Sequence, residues 1–342
     1  MKAFWDPVQL RHEPRFFLQR GRVRPNFERP DRAHALLDGC RMLGLVPEMP
    51  PPMDPACLEA VHSPAYLAFL RDAAARWADL PDAGPELVPN IHPSPEMLAQ
   101  GAQPGPLVVG QLGWFTADTS CPIGPGTWEA AVAAAACAVA AADEAAAGRS
   151  AYALTRPPGH HAYPARAGGH CYLNNAATAV ERLRARGAAH VAVLDVDSHH
   201  GNGTQGVFWD RGDVLCASVH GDPSGYYPWY VGHAGERGVA AGAGCNLNLP
   251  LPAGTGDEGW LAALDTALDA VRAFSPDALV LSLGFDASVD EPLSFLRVTD
   301  NGFAHAAGRI AGLRLPAAVV QEGGYNTATL GPLLHRFLGA FA

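Results

Sequence analysis

The most constraining feature of this chain is a series of short, unbroken apolar segments that alternate with helix-like segments after residue 150. A strand that is apolar at every position is covered on both faces, and such strands separated by helices form a mainly parallel sheet. The sequence therefore predicts an α/β fold, a mainly parallel sheet with helices on both faces. The predicted strands are 150–155, 190–194, 213–219, 278–283 and 317–320.

Helical segments lie between and around these strands. The segment 257–274 has apolar residues at positions 260, 261, 264, 268 and 271, which is the spacing of one helical face. The Ala-rich segment 128–147 favours a helix by intrinsic propensity and is expected to end at Gly148. Further helices are predicted at 173–186, ending at Gly187, and at 330–341.

The segment 81–106 interrupts this pattern. It carries prolines at 81, 85, 89, 93, 95, 104 and 106, and proline removes a backbone donor from helices and strands. We expect no regular element there, and a connection of this length is a functional loop or a linker. Since no domain boundary is evident, the prediction is a single domain over 1–342 with a Pro-rich insert at about 81–106.

Composition and local patterns argue against several classes of function. The formal net charge of -10 argues against nucleic-acid binding. Seven cysteines without a CxxC pair argue against a disulfide framework and against a thiolate zinc site. The N-terminus has no apolar core of the signal-peptide kind, and the apolar stretch 130–142 is too short to span a bilayer. We therefore expect a cytoplasmic protein with neither nucleic-acid nor membrane partners.

Polar clusters follow four of the predicted strands directly. They are RPPGHH at 156–161, DVDSHHGNGT at 195–204, GFD at 284–286 and QEGGYN at 321–326. The carboxyl ends of parallel strands lie at one edge of a sheet, where ligands bind. The four clusters are therefore expected to form one site.

The residue types in these clusters are those of a catalytic metal site. Asp197, His199 and Asp286 can supply one nitrogen and two carboxylates, and three protein ligands leave a position open for chemistry. Such a set suits zinc, but also iron, manganese or cobalt. The metal would lower the pKa of bound water toward ~7 and polarise a carbonyl.

Three further residues suit hydrolysis of an acyl bond. The adjacent His160 and His161 could hold a base and a positive charge side by side, and Tyr325 could donate its hydroxyl to an oxyanion.

The same residues also admit other enzyme classes. The sequence GNGTQG at 201–206 matches GxGxxG and Asp222 lies near the spacing of a ribose-binding acid, as in a nicotinamide-dependent dehydrogenase. Against this, residues 195–200 separate the strand from the glycines, whereas a dinucleotide turn needs its glycines at the strand end. A serine hydrolase is disfavoured because the chain has no GxSxG.

The clusters, together with GGHCYLNNAA, LDVDSHHGNGTQ and SLGFDAS, resemble the histone deacetylase superfamily in order and spacing. The segments LRHEP…RPNFERPDRA and PIGPGTWEAA, with the Pro-rich insert, are similar to its acetylpolyamine amidohydrolase branch. The resemblance implies the arginase/deacetylase fold and a zinc-dependent hydrolase of small acetylated amines. Acetyllysine deacetylation and a non-enzymatic binding module stay open as alternatives.

The resemblance also implies a role for each matching residue. Asp197, His199 and Asp286 match zinc ligands, His161 the general base and acid, His160 its electrostatic partner, and Tyr325 the carbonyl-polarising tyrosine. Asp195 is placed to hold His160, and Asn202 to hold His161. Structural potassium would use Asp195, Asp197, His199, Ser218 and Val219, and a second cation the backbone of Phe208, Arg211 and Val214.

The chain departs from the family pattern in the expected substrate tunnel. Next to Gly169 stands His170, at a position where the family commonly has Phe or Tyr, and it should face Tyr227. The segment PLVVGQLGWF lacks the acid that would meet a distal ammonium, so Asp82, Glu86, Glu96 or Asp118 are the remaining candidates. An arginase with two manganese ions would need carboxylates where Ala287 and Ser288 stand.

The insert itself has two interpretations. Its resemblance implies a homodimer in which residues 81–106 pack across the twofold axis and narrow the tunnel mouth. The alternative is a disordered surface loop on a monomer.

Overall fold

The computed structural model describes residues 1–341, and its centre is a seven-stranded sheet. Every neighbouring pair in this sheet is parallel. The strands are β1 (Lys2–Phe4), β4 (Ala151–Ala153), β5 (Val191–Asp195), β6 (Val214–Gly221), β7 (Asn246–Leu251), β8 (Ala278–Leu283) and β9 (Ala317–Gln321), in the order β1-β4-β9-β8-β5-β6-β7. A separate antiparallel hairpin consists of β2 (Phe16–Gln19) and β3 (Arg22–Pro25).

Helices cover the sheet and connect its strands. They are α1 (Pro30–Met42), α2 (Ala56–Glu59), α3 (Pro64–Ala78), α4 (Pro95–Ala99), α5 (Val108–Trp114), α6 (Thr127–Ala146), α7 (Asn175–Ala185), α8 (Asn202–Phe208), α9 (Asp257–Phe274), α10 (Asp300–Ala311) and α11 (Thr327–Leu338). Short 3₁₀ helices occupy Pro7–Arg11, Ala240–Gly242 and Gly339–Phe341. Within residues 1–341, none of the helices is both long and apolar enough to cross a membrane.

The two faces of the sheet bury two separate hydrophobic cores. In β5, Ala192 and Leu194 pack into one core with side chains of α1, α9, α10 and α11. Val191 and Val193 point the other way, into a core with α6 and α7. Side chains alternate between faces along a strand, so a continuously apolar strand supplies both cores. The predicted α/β fold class, a mainly parallel sheet in a single domain, is confirmed.

The prediction of no regular element within 81–106 is wrong at one place. Helix α4 begins there with Pro95 at its first position, and the Ser94 side chain accepts a hydrogen bond from the backbone N–H of Met97. Proline is tolerated at that position because the first N–H groups of a helix have no intrahelical partner. The strand β7 and the helix α10 were not predicted.

The insert is held against the domain by backbone contacts. Leu87 pairs with Ile123 through two hydrogen bonds of 2.8 and 3.1 Å. The Trp77 indole donates to the Gly84 carbonyl over 2.9 Å. At Gly113 a Cβ atom would lie 1.8 Å from the Ile91 carbonyl oxygen, so the glycine permits the insert to approach α5.

Candidate active site

The four polar clusters meet because their strands are neighbours. The adjacent strands β4, β9, β8 and β5 lead into residues 156–161, 321–326, 284–286 and 195–204, respectively. All four strands are parallel, so their carboxyl ends lie on one rim of the sheet.

Asp197, His199 and Asp286 form a compact group of potential metal ligands. The His199 Nδ1 atom lies 2.8 Å from Asp286 Oδ2 and 3.2 Å from Asp197 Oδ1. One ligand atom from each residue lies within 4.8 Å of the others, and both carboxylates are fully buried. Two buried carboxylates so close together need a compensating cation, so this donor set fits a divalent metal.

Glycines make room for these carboxylates. A Cβ atom at Gly284 would lie 2.1 Å from Asp197 Oδ2, and one at Gly323 would lie 2.5 Å from Asp286 Oδ2. The Gly323 N–H also donates to Asp197 Oδ2 over 2.8 Å. The glycines of GFD and EGGYN therefore allow the ligand carboxylates to approach the backbone.

A second group, His160, Cys171 and Glu322, has the same compactness but not the same chemistry. Glu322 already accepts hydrogen bonds from the N–H groups of Gly159 and His160 at 2.7 and 3.1 Å. Burial raises the pKa of the Cys171 thiol well above its usual value, so it remains protonated. These residues support the loop at 156–161 that carries His160 and His161, called the histidine loop below, and they do not suit a metal.

The two adjacent histidines have different partners. His160 Nδ1 donates to Asp195 Oδ2 over 2.9 Å, and His161 Nδ1 lies 2.6 Å from the amide oxygen of Asn202. Burial disfavours the charged form of His160, but the charges of Asp195 and Asp197 outweigh it and raise its pKa well above 6.5.

For His161, burial and the charges of His160 and His199 lower the pKa well below 6.5. With its Nδ1 proton held by the Asn202 oxygen, the neutral ring presents Nε2 as an acceptor. One ring is thus a cation and its neighbour a base.

Tyr325 lies on a loop that a buried carboxylate and an arginine hold in place. The buried Glu291 carboxylate accepts from the N–H of Tyr325 at 2.8 and 2.9 Å and from that of Asn326 at 2.8 Å. The guanidinium of Arg32 lies 4.8 Å from the centre of the Tyr325 ring and donates to the carbonyls of Gly324 and Glu322. Burial raises the pKa of the tyrosine well above 10, so its hydroxyl keeps its proton.

Sequence reasoning missed several of these supporting residues. They include Glu291, Arg32, its buried partner Glu28, Glu322, and Tyr226, which stacks on His199 at 4.5 Å. Of these, Glu322 could have been predicted, because it directly follows an apolar strand. Burying a carboxylate at such a position costs free energy unless the carboxylate is hydrogen-bonded or paired.

An open cavity of about 540 Å³ leads from the surface to these groups. The sequence-predicted tunnel residues Gly169, His170 and Tyr227 all line it, as do His161, His199 and Tyr325. The other lining residues are Phe17, Leu18, Gln19, Arg20, Ser120, Gly225, Tyr226, Trp229, Pro292, Leu293, Ser294 and Phe295.

The acids considered for the tunnel mouth do not line this cavity. Asp118 Oδ2 accepts from the Tyr227 hydroxyl over 2.5 Å and from the Gly169 N–H over 3.0 Å. Glu86 is buried and accepts from the Arg15 N–H over 2.6 Å. Asp82 and Glu96 are exposed elsewhere.

The residues considered for potassium lie on β5, β6 and the connection between them. Asp195 and Ser218 are partners in the register of these strands, and the Ser218 hydroxyl lies 2.8 Å from His220 Nδ1. Val219 is the next residue of β6. Phe208, Arg211 and Val214 lie between the end of α8 and the start of β6, where the Arg211 N–H donates to the Phe208 carbonyl over 3.1 Å.

The GxGxxG segment packs against the site itself. A Cβ at Gly201 would lie 2.4 Å from Asp195 Oδ2, and one at Gly203 would lie 2.3 Å from the Ala162 carbonyl oxygen. These glycines let the loop approach Asp195 and the histidine loop, so they do not form an open cradle for a pyrophosphate.

Comparison with known proteins agrees with this fold. The histone deacetylase domain model matches residues 26–341, so the chain belongs to the histone deacetylase family, as the resemblance predicted.

Relatives that match over nearly the whole chain are acetylpolyamine amidohydrolases. The chain is 44% identical over 343 residues to the acetylpolyamine amidohydrolase of Burkholderia pseudomallei (strain 1710b), covering 100% of this chain and 98% of that protein. It is 44% identical over 315 residues to acetylpolyamine amidohydrolase 1 of Pseudomonas aeruginosa, covering 91% and 90%. The crystal structure of acetylpolyamine aminohydrolase from Burkholderia pseudomallei matches with a TM-score of 0.95 at 43% identity, covering 100% of this chain and 98% of that one.

Proposed function

We propose that this chain is a zinc-dependent amidohydrolase that removes acetyl groups from small acetylated amines, above all acetylpolyamines. The names of its full-length relatives support the substrate class. The observation that carries the chemistry is the convergence of a metal-ligand group, a charged and a neutral histidine, and a protonated tyrosine on one cavity.

Asp197, His199 and Asp286 would hold the zinc, which when bound supplies a Lewis acid and lowers the pKa of water. The surrounding residues would transfer protons and stabilise the developing negative charge. His161 takes a proton from the attacking water through Nε2 and later returns it to the leaving amine.

Tyr325 donates its hydroxyl to the oxygen on which negative charge develops. The positive His160, held by Asp195, stabilises the negative charge that develops during attack. Asp195, Asp197, His199, Ser218 and Val219 would contribute to a structural potassium site, with a second at Phe208, Arg211 and Val214.

We also propose a homodimer formed through the insert. Large apolar side chains in and just after it are exposed in the single chain, among them Ile91 at 55% and Leu107 at 70%. Residues 81–106 do not line the cavity of their own chain, so a narrowed mouth would require the partner's insert. Such a mouth would admit slender acetylated amines and exclude folded acetyllysine proteins, which is the alternative substrate class.

The test combines metal content with a substrate panel. Purified protein should hold about one equivalent of zinc, and Asp286→Ala should lose it. Acetylputrescine, acetylcadaverine and acetylspermidine should have higher kcat/KM than acetyllysine peptides, and light scattering should report a dimer. A monomer that prefers acetyllysine peptides would contradict the substrate assignment, and zinc-free protein with full activity would contradict the chemistry.

A further inference from the structure

The rim of the cavity is positively charged. Part of it is the β2–β3 hairpin, from which Phe17, Leu18, Gln19 and Arg20 line the cavity. The lining contains no aspartate, glutamate or lysine, and apart from histidines Arg20 is its one charged residue. The far end of a bound substrate therefore meets a positive group.

Two further arginines add to this charge. Arg22 is the register partner of Gln19, and Arg24 that of Phe17. Opposed residues of an antiparallel pair share one face, so both arginines lie on the face of Phe17 and Gln19, two of the three β2 residues that line the cavity. Arg20, Arg22 and Arg24 are exposed, and none forms an ion pair with another residue of 1–341.

The hairpin holds Arg20 in place. Arg20 and Gly21 both have positive φ, +50° and +73°, as a tight two-residue hairpin turn requires. The hairpin is anchored by Phe17, which is 5% exposed and packs against Phe27 and His170 at centroid distances of 5.9 and 5.6 Å. The backbone that carries Arg20 at the rim is therefore held in place.

The nearby carboxylates lie outside the lining, and their oxygens accept hydrogen bonds from neutral donors. Both oxygens of Asp118 are occupied, Oδ1 by the Ser120 N–H and Oδ2 by Tyr227 and Gly169. Asp222 Oδ1 accepts from the Ser224 N–H over 2.8 Å. Within the described chain, the lining thus offers a distal ammonium no counter-charge.

We propose that the cavity accepts a second substrate class, acetylated amines whose far end is a carboxylate, and that Arg20 binds this carboxylate. A guanidinium matches a carboxylate with two parallel hydrogen bonds. The inference rests on the proposed function, because the reaction is the same. Water adds its hydroxyl to the acetyl carbon as the C–N bond breaks, and the amine nitrogen takes the proton, giving acetate and an amino acid.

The experiment compares three acetamides that differ only in the group after four methylenes. These are N-acetylputrescine with an ammonium, N-pentylacetamide with a methyl and 5-acetamidopentanoate with a carboxylate, together with analogues of three to six methylenes. Arg20→Gln should lower kcat/KM for the carboxylate roughly two- to fivefold, the scale of an exposed ion pair, and raise it similarly for the ammonium. The neutral acetamide should change less than either charged substrate.

Two further measurements separate binding at Arg20 from general charge. Arg20→Glu should lower the carboxylate-to-ammonium ratio of kcat/KM further than Arg20→Gln does. Arg22→Gln removes a charge from the same hairpin but outside the lining, so it should lower this ratio less than Arg20→Gln does. In wild-type protein, 0.5 M NaCl should lower the carboxylate-to-ammonium ratio of kcat/KM, because salt screens the charge of Arg20.

The outcomes distinguish the two proposals. If the ammonium and neutral acetamides are hydrolysed but the carboxylate is not at any chain length, the inference is wrong and the deacetylase stands. A ratio that is unchanged in both Arg20 variants also overturns it. If none of the acetamides is hydrolysed, the proposed function itself fails.

Discussion

His160 and His161 are adjacent in the chain and their rings lie 4.0 Å apart between centroids, yet their pKa values are displaced in opposite directions. Burial lowers the pKa of both rings, but the charges of Asp195 and Asp197 outweigh it at His160, whereas the charges of His160 and His199 add to it at His161. His160 faces the carboxylate of Asp195, whereas His161 faces the neutral amide of Asn202. Replacing the Asn202 amide by a carboxylate should therefore change the pKa of His161.

The first prediction is that Asn202→Asp moves the acidic limb of the kcat/KM profile to higher pH. The new carboxylate favours the protonated form of His161 and raises its pKa by roughly one to three units. The base form is then lost at a higher pH, so activity falls earlier on acidification. The measurement is kcat/KM against pH, with Asn202→Ala as the control that breaks the hydrogen bond without adding charge. An unmoved limb in Asn202→Asp would show that protonation of His161 does not control the rate.

The second prediction concerns the Tyr325 hydroxyl. Tyr325→Phe should lower kcat roughly 10²–10³-fold, the scale for loss of one oxyanion donor, with little change in KM. Zinc content should be unchanged, because Tyr325 is not among the grouped metal ligands. Steady-state kinetics and metal analysis on the same preparation test both points. Turnover near that of the wild type would exclude Tyr325 from the reaction.

The third prediction concerns Glu291, the buried carboxylate that accepts hydrogen bonds from the Tyr325 backbone. Burial raises the pKa of Glu291 from 4.5 to about 7, so the folded chain binds more protons than the unfolded chain within this window. The contribution of Glu291 to the free energy of unfolding therefore decreases as the pH rises from about 4.5 to about 7. Glu291→Gln should remove this contribution and make Tm less dependent on pH, as thermal melts across the window would measure.

A matched control for Glu291 stands next to it. Asp290 is exposed, so Asp290→Asn should leave the pH dependence of Tm unchanged. Glu291→Ala should also lower kcat roughly tenfold or more, since the backbone of Tyr325 loses its acceptor and the hydroxyl is displaced. Full activity in Glu291→Ala would mean that the loop holds Tyr325 without it.

The fourth prediction compares two glycines with positive φ. A Cβ at Gly169, where φ is +54°, would lie 2.3 Å from His161 Cδ2, whereas at Gly148, with φ of +80°, nothing lies within 4 Å. Both alanine variants bear backbone strain of about 1–2 kcal/mol. Only Gly169→Ala should also lose activity, because His161 must move. Equal kcat/KM in the two variants would contradict this packing.

Most of the fold and the main site could be predicted from local patterns. Continuous apolar strands indicate a buried parallel sheet, and polar residues directly after them fall on one rim whatever the exact strand order. The apolar segment 278–283 has the bounds of β8, and the residue types of Asp197, His199 and Asp286 predict the ligand group that the structure brings together. The one-turn helix at Pro95–Ala99 was missed because a Pro-rich segment permits a helix only when proline falls at its first position.

The sequence by itself determined the sheet, the residue types on its rim and the family, because each of these depends on short-range order along the chain. Only the tertiary structure decided which partners those residues have. Arg32 supports the Tyr325 loop through a hydrogen bond to a carbonyl 292 residues away. The opposite pKa shifts of His160 and His161, and the place of Arg20 on the cavity rim, likewise depend on contacts and burial that arise only when distant segments pack together.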